Sequence, residues 1–279
     1  MSRIAEVFAS LKRESATAII PYVMVGDPDL ATTLEVVPTL VEGGADLIEL
    51  GVPFSDPIAE GPTIQRAAER ALASHTSLAD CLSVAKQLRE RGVAVPLLLM
   101  GYYNPIHHYG IARFADHAAA AGVDGAIVPD LPPEEAGELA AALKTKELDL
   151  IFLLTPTSTD QRIARVCKPA SGFIYCVSLL GVTGARAEFS ASVGSLVQRI
   201  RQHTDLPIAI GFGISRAEHV AQAAAIADGA VIGSALIDKL TAAEDKPAAA
   251  RAYIAELKAA THPLLPSRSQ GEGLGVRVT

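Results

Sequence analysis

The sequence predicts an α/β protein folded as a (β/α)8 TIM barrel with a short N-terminal leading helix. Three observations carry this: eight short apolar runs, helical periodicity in the gaps between them, and glycine-rich ends on the last two runs. The runs are 17–25 (TAIIPYVMV), 46–50 (DLIEL), 95–100 (VPLLLM), 125–128 (GAIV), 149–154 (DLIFLL), 172–177 (GFIYCV), 207–210 (PIAI) and 229–232 (GAVI). Each is apolar on successive rather than alternate residues, the pattern of parallel strands covered on both faces.

The elements follow in chain order. At the amino terminus Ile4, Val7, Phe8 and Leu11 mark one face of a short helix, and Glu6 and Glu14 are out of place in an acid-poor transit peptide. After the first run Leu30, Leu34, Val37 and Val41 repeat at helical spacing, and after the sixth Val193, Leu196, Val197 and Ile200 do the same. Gly43-Gly44, Gly92 and Gly122 stand where helices should stop. Asp130, ahead of Leu131-Pro132-Pro133-Glu134-Glu135, predicts a helix start with proline and acids in its first turn. An open doubly wound sheet is the competing architecture. Its glycine fingerprint belongs just after the first strand, where this chain has Gly26-Asp27-Pro28 instead. No repeat or linker divides the chain, so residues 1–261 are read as a single barrel domain. From 262 to 279 apolar periodicity is lost among Pro, Gly, Ser and Arg, which predicts a mobile tail.

Composition narrows the function classes. With 49% hydrophobic residues in 279, the chain can bury a large core, though that suits two small domains as well as one barrel. The longest apolar stretch, Val93 to Met100, is far shorter than a bilayer span and contains Pro96, so no membrane crossing is expected. The net charge is -7 and no run of Lys and Arg makes a basic stripe, which argues against nucleic acid as a partner. Cys81, Cys167 and Cys176 are odd in number and lack CxxC spacing. This speaks against a disulfide framework and a zinc site, and fits a reducing cytoplasm.

Chemistry in such a barrel belongs at the carboxyl ends of the strands. The second run ends Leu47-Ile48-Glu49-Leu50-Gly51, which puts an ionisable carboxyl inside an apolar strand. A lone strand Glu commonly faces outward or finds a backbone donor. At a strand end, partial desolvation would instead raise its pKa, as a group that both gives and takes a proton requires. Next comes Pro53-Phe54-Ser55-Asp56-Pro57-Ile58-Ala59-Glu60-Gly61-Pro62, a loop stiffened by three prolines and carrying two further acids; such stiffening is unneeded in an idle surface turn. The seventh strand finishes Gly211-Phe212-Gly213-Ile214-Ser215 and the eighth Gly229-Ala230-Val231-Ile232-Gly233-Ser234-Ala235. Two glycine-rich ends in this order, each opening a helix, predict a phosphate held by backbone N–H groups. Gly181-Val182-Thr183-Gly184, in a glycine-hinged loop from Ser178 to about Ser190, reads as a lid whose Gly184 N–H reaches the same phosphate.

Taken together, Ile48-Glu49-Leu50-Gly51-Val52-Pro53-Phe54-Ser55-Asp56-Pro57 with Gly61-Pro62-Thr63-Ile64-Gln65, Met100-Gly101-Tyr102-Tyr103-Asn104-Pro105, Pro129-Asp130-Leu131-Pro132, Gly181-Val182-Thr183-Gly184 and Gly211-Phe212-Gly213-Ile214 strongly resemble the signature of the tryptophan synthase alpha chain family. The similarity spans roughly residues 1 to 260. The resemblance implies a lyase that cleaves indole-3-glycerol phosphate to indole and D-glyceraldehyde 3-phosphate by a retro-aldol reaction in L-tryptophan biosynthesis. It implies Glu49 as general acid and base, Glu60 as the carboxylate that binds the indole N–H, and Tyr175 as the pocket tyrosine beside the glycerol chain. Tyr22 and Met100 would wall the indole, with ordinary core packing an equal reading for Met100. Thr183 would close the lid on the loop carboxylate. Gly184, Gly213, Gly233 and Ser234 would cradle phosphate, with Phe212 contributing its backbone N–H and Gly211 in the same substrate-binding set. Pro53 and Asp56 would contact a beta chain that carries pyridoxal phosphate, in an alpha2-beta2 heterotetramer, and this chain would itself need no cofactor and no metal. Two departures stand out: Glu60 where the family commonly has Asp, which keeps the charge and adds a methylene, and Leu179-Leu180 in the lid, where a polar or basic residue is usual.

Three rival readings stay open at this stage. A sugar-phosphate isomerase or aldolase could use the same barrel and phosphate site. The proline-rich loop speaks against it, and none of the eight runs supplies the lysine a Schiff-base aldolase wants. A non-catalytic chain kept to activate its partner conflicts with Glu49 and an acid at position 60. A free-standing lyase differs only in loop energetics, which the sequence does not display.

Overall fold

All eight runs become parallel strands in the computed structural model, which describes residues 1–177, 186–211 and 213–261, and only the backbone of 186–191. The order is α1 (Arg3–Arg13), β1 (Ala18–Met24), α2 (Leu30–Glu42), β2 (Ile48–Gly51), α3 (Pro62–Ala73), α4 (Leu78–Glu90), β3 (Leu97–Met100), α5 (Tyr103–Tyr109), α6 (Ile111–Ala120) and β4 (Gly125–Ile127). It continues with α7 (Gly137–Lys144), β5 (Asp149–Leu154), α8 (Asp160–Cys167), β6 (Ile174–Val177), α9 (Arg186–Ile200), β7 (Ile208–Gly211), α10 (Ala217–Ala224), β8 (Gly229–Ile232), α11 (Ser234–Ala242) and α12 (Lys246–Lys258). Neighbours pair in sequence and β8 pairs back to β1, so the sheet closes and has no edge. The doubly wound alternative is thereby excluded.

The continuous apolar runs resolve into two interleaved faces. Ile19, Val23, Ile48, Leu50, Leu97 and Leu99 belong to the layer between sheet and helices. Ala18, Ile20, Leu47, Leu98, Ile127, Ile151 and Tyr175 fill the barrel together with Ile4, Phe8 and Leu11 of α1, so the leading helix is the plug of the amino-terminal end. Period-two alternation therefore places Glu49, two residues after Leu47, on the inner face.

Acidic residues set just before the even strands hold that end together. Asp46 accepts the Ile19 N–H at 2.8 Å, Asp124 that of Leu97 at 2.8 Å, and Asp228 that of Ile208 at 2.8 Å. Each thus caps the first residues of the preceding odd strand, a donor that would otherwise lack a partner. Asp124 also accepts from Arg89 of α4 at 2.6 Å and from Arg3 of α1, which fastens the plug. All of this lies at the stability end of the barrel, opposite the strand ends where chemistry is expected.

Several sequence expectations shift. The helix expected to start at Asp130 starts at Gly137. The Asp130 carboxylate is instead taken by the backbone N–H of Tyr103, at 2.9 Å, where α5 begins. The third run forms a strand only from Leu97, and the sixth only from Ile174, because Gly172 lies at φ +73. The second gains Gly51 but loses Asp46 and Leu47. The stops at Gly43-Gly44, Gly92 and Gly122 fall just after helices, with Gly44, Gly92 and Gly122 at positive φ, where glycine has no Cβ penalty. The three cysteines are free and buried. The tail 262–279 lies outside the described residues.

Candidate active site

Glu49 lies in β2 with its backbone in register with Tyr22 of β1 and Leu98 of β3. It is fully buried, and neither carboxylate oxygen has a hydrogen-bond partner among the described residues. Burial pushes its pKa up to about 8, with repulsion from Glu60 adding to the shift. An isolated carboxylate in that position is costly, so the neutral acid is the resting form at neutral pH. Glu60, half-buried in the loop between β2 and α3, is also pushed up by burial, to about 7. Charge on either carboxylate disfavours the ionised forms of Tyr22 and Tyr175, which places all four groups in one electrostatic neighbourhood.

Glycines at the strand ends make room for the two tyrosines. A Cβ on Gly51 would come within 2.1 Å of the Tyr22 hydroxyl, and one on Gly211 within 2.3 Å of the Tyr175 hydroxyl. Any larger residue would drive the phenol out of place. Gly211, expected among the substrate-binding residues, is required here for steric room.

A small cavity of about 10 Å³ beside Glu60 has further walls from Tyr22, Met24, Phe54, Met100 and Tyr102. This is room for one water at most. A larger cavity of about 200 Å³ lies beyond Met24, between α2 and α11. Its carboxylate, Asp27, is neutralised by a bidentate pair with Arg70 at 2.7 Å, whereas Glu49 is unpaired. The unpaired buried acid makes the barrel interior the candidate reactive place.

The predicted phosphate ligands divide. Gly233 is the N-cap of α11 and Ser234 its first residue, with no side chain capping the end, so backbone donors point out of the helix start. Gly213 takes φ +77, a conformation suited to glycine, but it does not open a helix directly: α10 begins at Ala217 behind the N-cap Arg216. Phe212, Thr183 and Gly184, and with them Leu179 and Leu180, lie outside the described residues. Of the two loop residues expected at a partner contact, Asp56 is exposed, whereas Pro53 is buried and braces the loop from within. Among the described residues no group of His, Cys, Asp and Glu could hold a metal, and no helix is long and apolar enough to cross a membrane.

The tryptophan synthase alpha chain model matches residues 8–262, nearly the whole barrel. The chain belongs to the tryptophan synthase alpha chain family. Among curated relatives, the tryptophan synthase alpha chain of Roseiflexus castenholzii is 55% identical over 238 residues, 85% of this chain and 91% of that one. That of Chloroflexus aggregans is 52% identical over 263 residues, 94% and 98% of the two chains. Solved relatives agree: the tryptophan synthase subunit alpha from Legionella pneumophila superposes with a TM-score of 0.87 at 38% identity, over 94% of this chain and 98% of that one. The aminoacrylate-bound tryptophan synthase from M. tuberculosis does so at 0.85 and 37%, over 94% and 100%.

Within this alpha chain family member, Tyr102, Phe54 and Met24 are wall residues that motif reading did not single out. Tyr102 is legible as an aromatic two residues past the end of β3. Met24 had no signal beyond its place at the end of β1.

Proposed function

We propose that Glu49 and Glu60 divide the work of the family's reaction, the retro-aldol cleavage of indole-3-glycerol phosphate to indole and D-glyceraldehyde 3-phosphate. The observation that carries the assignment is a fully buried, unpartnered carboxyl on the inner face of a barrel strand, beside a second raised carboxyl. Cleavage needs a proton delivered to indole C3 and one removed from the adjacent hydroxyl. Glu49, neutral at rest, gives its proton to C3. The resulting carboxylate takes the hydroxyl proton as the carbon–carbon bond breaks; its electron pair returns to the ring and the hydroxyl carbon becomes the aldehyde. Positive charge builds at the ring N–H in between, and the Glu60 carboxylate accepts that N–H and stabilises it. The extra methylene of Glu60 extends its reach without changing its charge.

Tyr22 and Met100 wall the indole, and Tyr175 lines the pocket beside the glycerol chain. The start of α11 at Gly233 and Ser234, with Gly211, Phe212, Gly213 and Gly184, supplies phosphate donors, and Thr183 closes the lid on the loop. The chain takes no cofactor of its own and works in the cytoplasm with a pyridoxal-phosphate-bearing beta chain in an alpha2-beta2 heterotetramer. The contact includes exposed Asp56, with Ile58 beside it at 84% exposure. A large apolar side chain left this open fits a surface that a partner covers.

Indole release from indole-3-glycerol phosphate, by the purified chain alone and with a beta chain added, tests the reading. Slow release that rises strongly with the beta chain is expected, and Glu49→Gln should lower it by about 10²- to 10⁴-fold. Unchanged release in that variant would remove Glu49 from the chemistry.

A further inference from the structure

The Glu60 carboxylate stands on a loop with little structure of its own. Within it the backbone makes only short turns, Ile58 N–H to Asp56 at 2.9 Å and Glu60 N–H to Pro57 at 3.0 Å. Its hold on the barrel comes from outside. The Gln65 amide donates to the Glu60 carbonyl at 2.9 Å from the first turn of α3. On the other side, the Ala59 N–H donates to the phenolic oxygen of Tyr102 at 2.9 Å, and the Tyr102 ring stacks on Phe54 with centroids 5.1 Å apart and planes 28° from parallel. The phenol therefore meets the loop twice, once near its start and once next to Glu60.

Tyr102 is itself well fixed. It is buried, two residues past the end of β3. Gly101 donates to the Ile127 carbonyl at 3.1 Å and Tyr103 to Asp130 at 2.9 Å, so the backbone is anchored on both sides of it. A rigid acceptor reaching back to a loosely structured loop is the arrangement that fixes a side chain on that loop to within the tolerance catalysis needs.

We propose that Tyr102 is a positioning residue for the cleavage reaction: its hydroxyl holds Ala59 and its ring holds Phe54, and together they set the Glu60 carboxylate in the pocket opposite Glu49. This rests on the assignment of Glu60 made above. The hydroxyl acts through Ala59 and has no proton-transfer duty. It also joins the outside to the inside, because exposed Ile58 immediately precedes the tethered residue. Pressure from a partner on Ile58 is passed through Ala59 to the carboxylate. The charged and titratable groups around the phenol are Glu60 and Asp130, and those around Glu60 are Glu49, Tyr22, Tyr102 and Tyr175.

Tyr102→Phe keeps the ring and removes only the acceptor. Amide hydrogen exchange over residues 54–61 should quicken by about fivefold, the loss of one ordinary hydrogen bond, while the strands keep their protection. In the complex with a beta chain, kcat for indole release should fall on the order of tenfold or more, with KM moved by less than about twofold because the phosphate subsite is untouched. The acid limb of the pH profile should move to lower pH as Glu60 gains water. Stimulation by the beta chain should be larger than for the wild type, since partner contact replaces the lost tether. Unchanged exchange in the loop overturns the proposal, and so does faster exchange with an unaltered kcat and acid limb. Wild-type chain that releases no indole even with a beta chain overturns the assignment of function instead, and loop exchange still decides whether Tyr102 is the tether.

Discussion

At the residue scale, removing a carboxyl from water changes both its chemistry and the stability of the fold. Glu49 and Glu60 titrate near about 8 and about 7 rather than 4.5, both through burial and, for Glu49, through its neighbour's charge. The folded state favours the neutral acids, so their stabilising contribution is complete below pH 4.5 and is lost as pH rises through the folded values. Glu49→Gln should therefore be more stable than the wild type at pH 8, with the gap closing by about 1.4 kcal/mol per pH unit on the way down to 5. Urea midpoints across that range measure it, and a gap that widens toward acid would contradict the burial argument. The rate follows the same groups with opposite demands. In the proposed mechanism Glu60 acts ionised and Glu49 protonated, so kcat/KM should peak between about 7 and about 8 and fall on either side. The two limbs belong to the coupled pair rather than to either group alone. The carboxyl at 49 was conspicuous in the sequence because it interrupts an apolar strand. Its lack of any partner among the described residues was not, since that depends on which donors the other strands leave nearby.

Helix α1 and the loop after β2 show what an element contributes beyond its residues. Ile4, Phe8 and Leu11 were legible as one helical face, but nothing in their spacing says what that face covers. The closed sheet supplies the answer, because an eight-stranded barrel leaves an apolar opening at its amino-terminal end. Phe8 packs there against Phe173, with centroids 5.7 Å apart. Phe8→Ala should cost about 3–5 kcal/mol in a denaturant titration while leaving KM unchanged, since the plug and the site are at opposite ends. A KM that rises together with the loss of stability would show that the two ends are coupled. Asp130 shows the limit of local signals. An acid ahead of two prolines and two glutamates is a sound helix start, yet a free N–H on the neighbouring helix claimed it first.

For the molecule as a whole, the proposed chemistry and the proposed contact share one loop. Asp56 and Ile58 are exposed on the same loop that ends in Glu60. With a net charge of -7 and Asp56 at the proposed contact, the chain would favour a partner with basic groups there. Asp56→Lys should abolish most of the stimulation by a beta chain, by about tenfold or more, and leave indole release by the isolated chain within about twofold of the wild type. Titrating beta chain into both forms distinguishes lost contact from lost chemistry. Full stimulation of the variant would move the contact elsewhere on the barrel mouth.

Composition, the eight apolar runs and the motif residues were enough to determine the barrel, the family, and the presence of Glu49 and Glu60 at a strand end and on its loop. These features are local or periodic, and a period of two or 3.6 residues is written in the order of side chains. Tertiary structure alone decided that Glu49 has no partner, that Gly51 and Gly211 exist to admit tyrosines from β1 and β6, that Pro53 turns inward, and that Tyr102 tethers Ala59 across 43 residues. The reason is physical: desolvation, steric room and hydrogen bonding are set by whatever the closed sheet brings alongside, and no stretch of chain carries a record of its spatial neighbours.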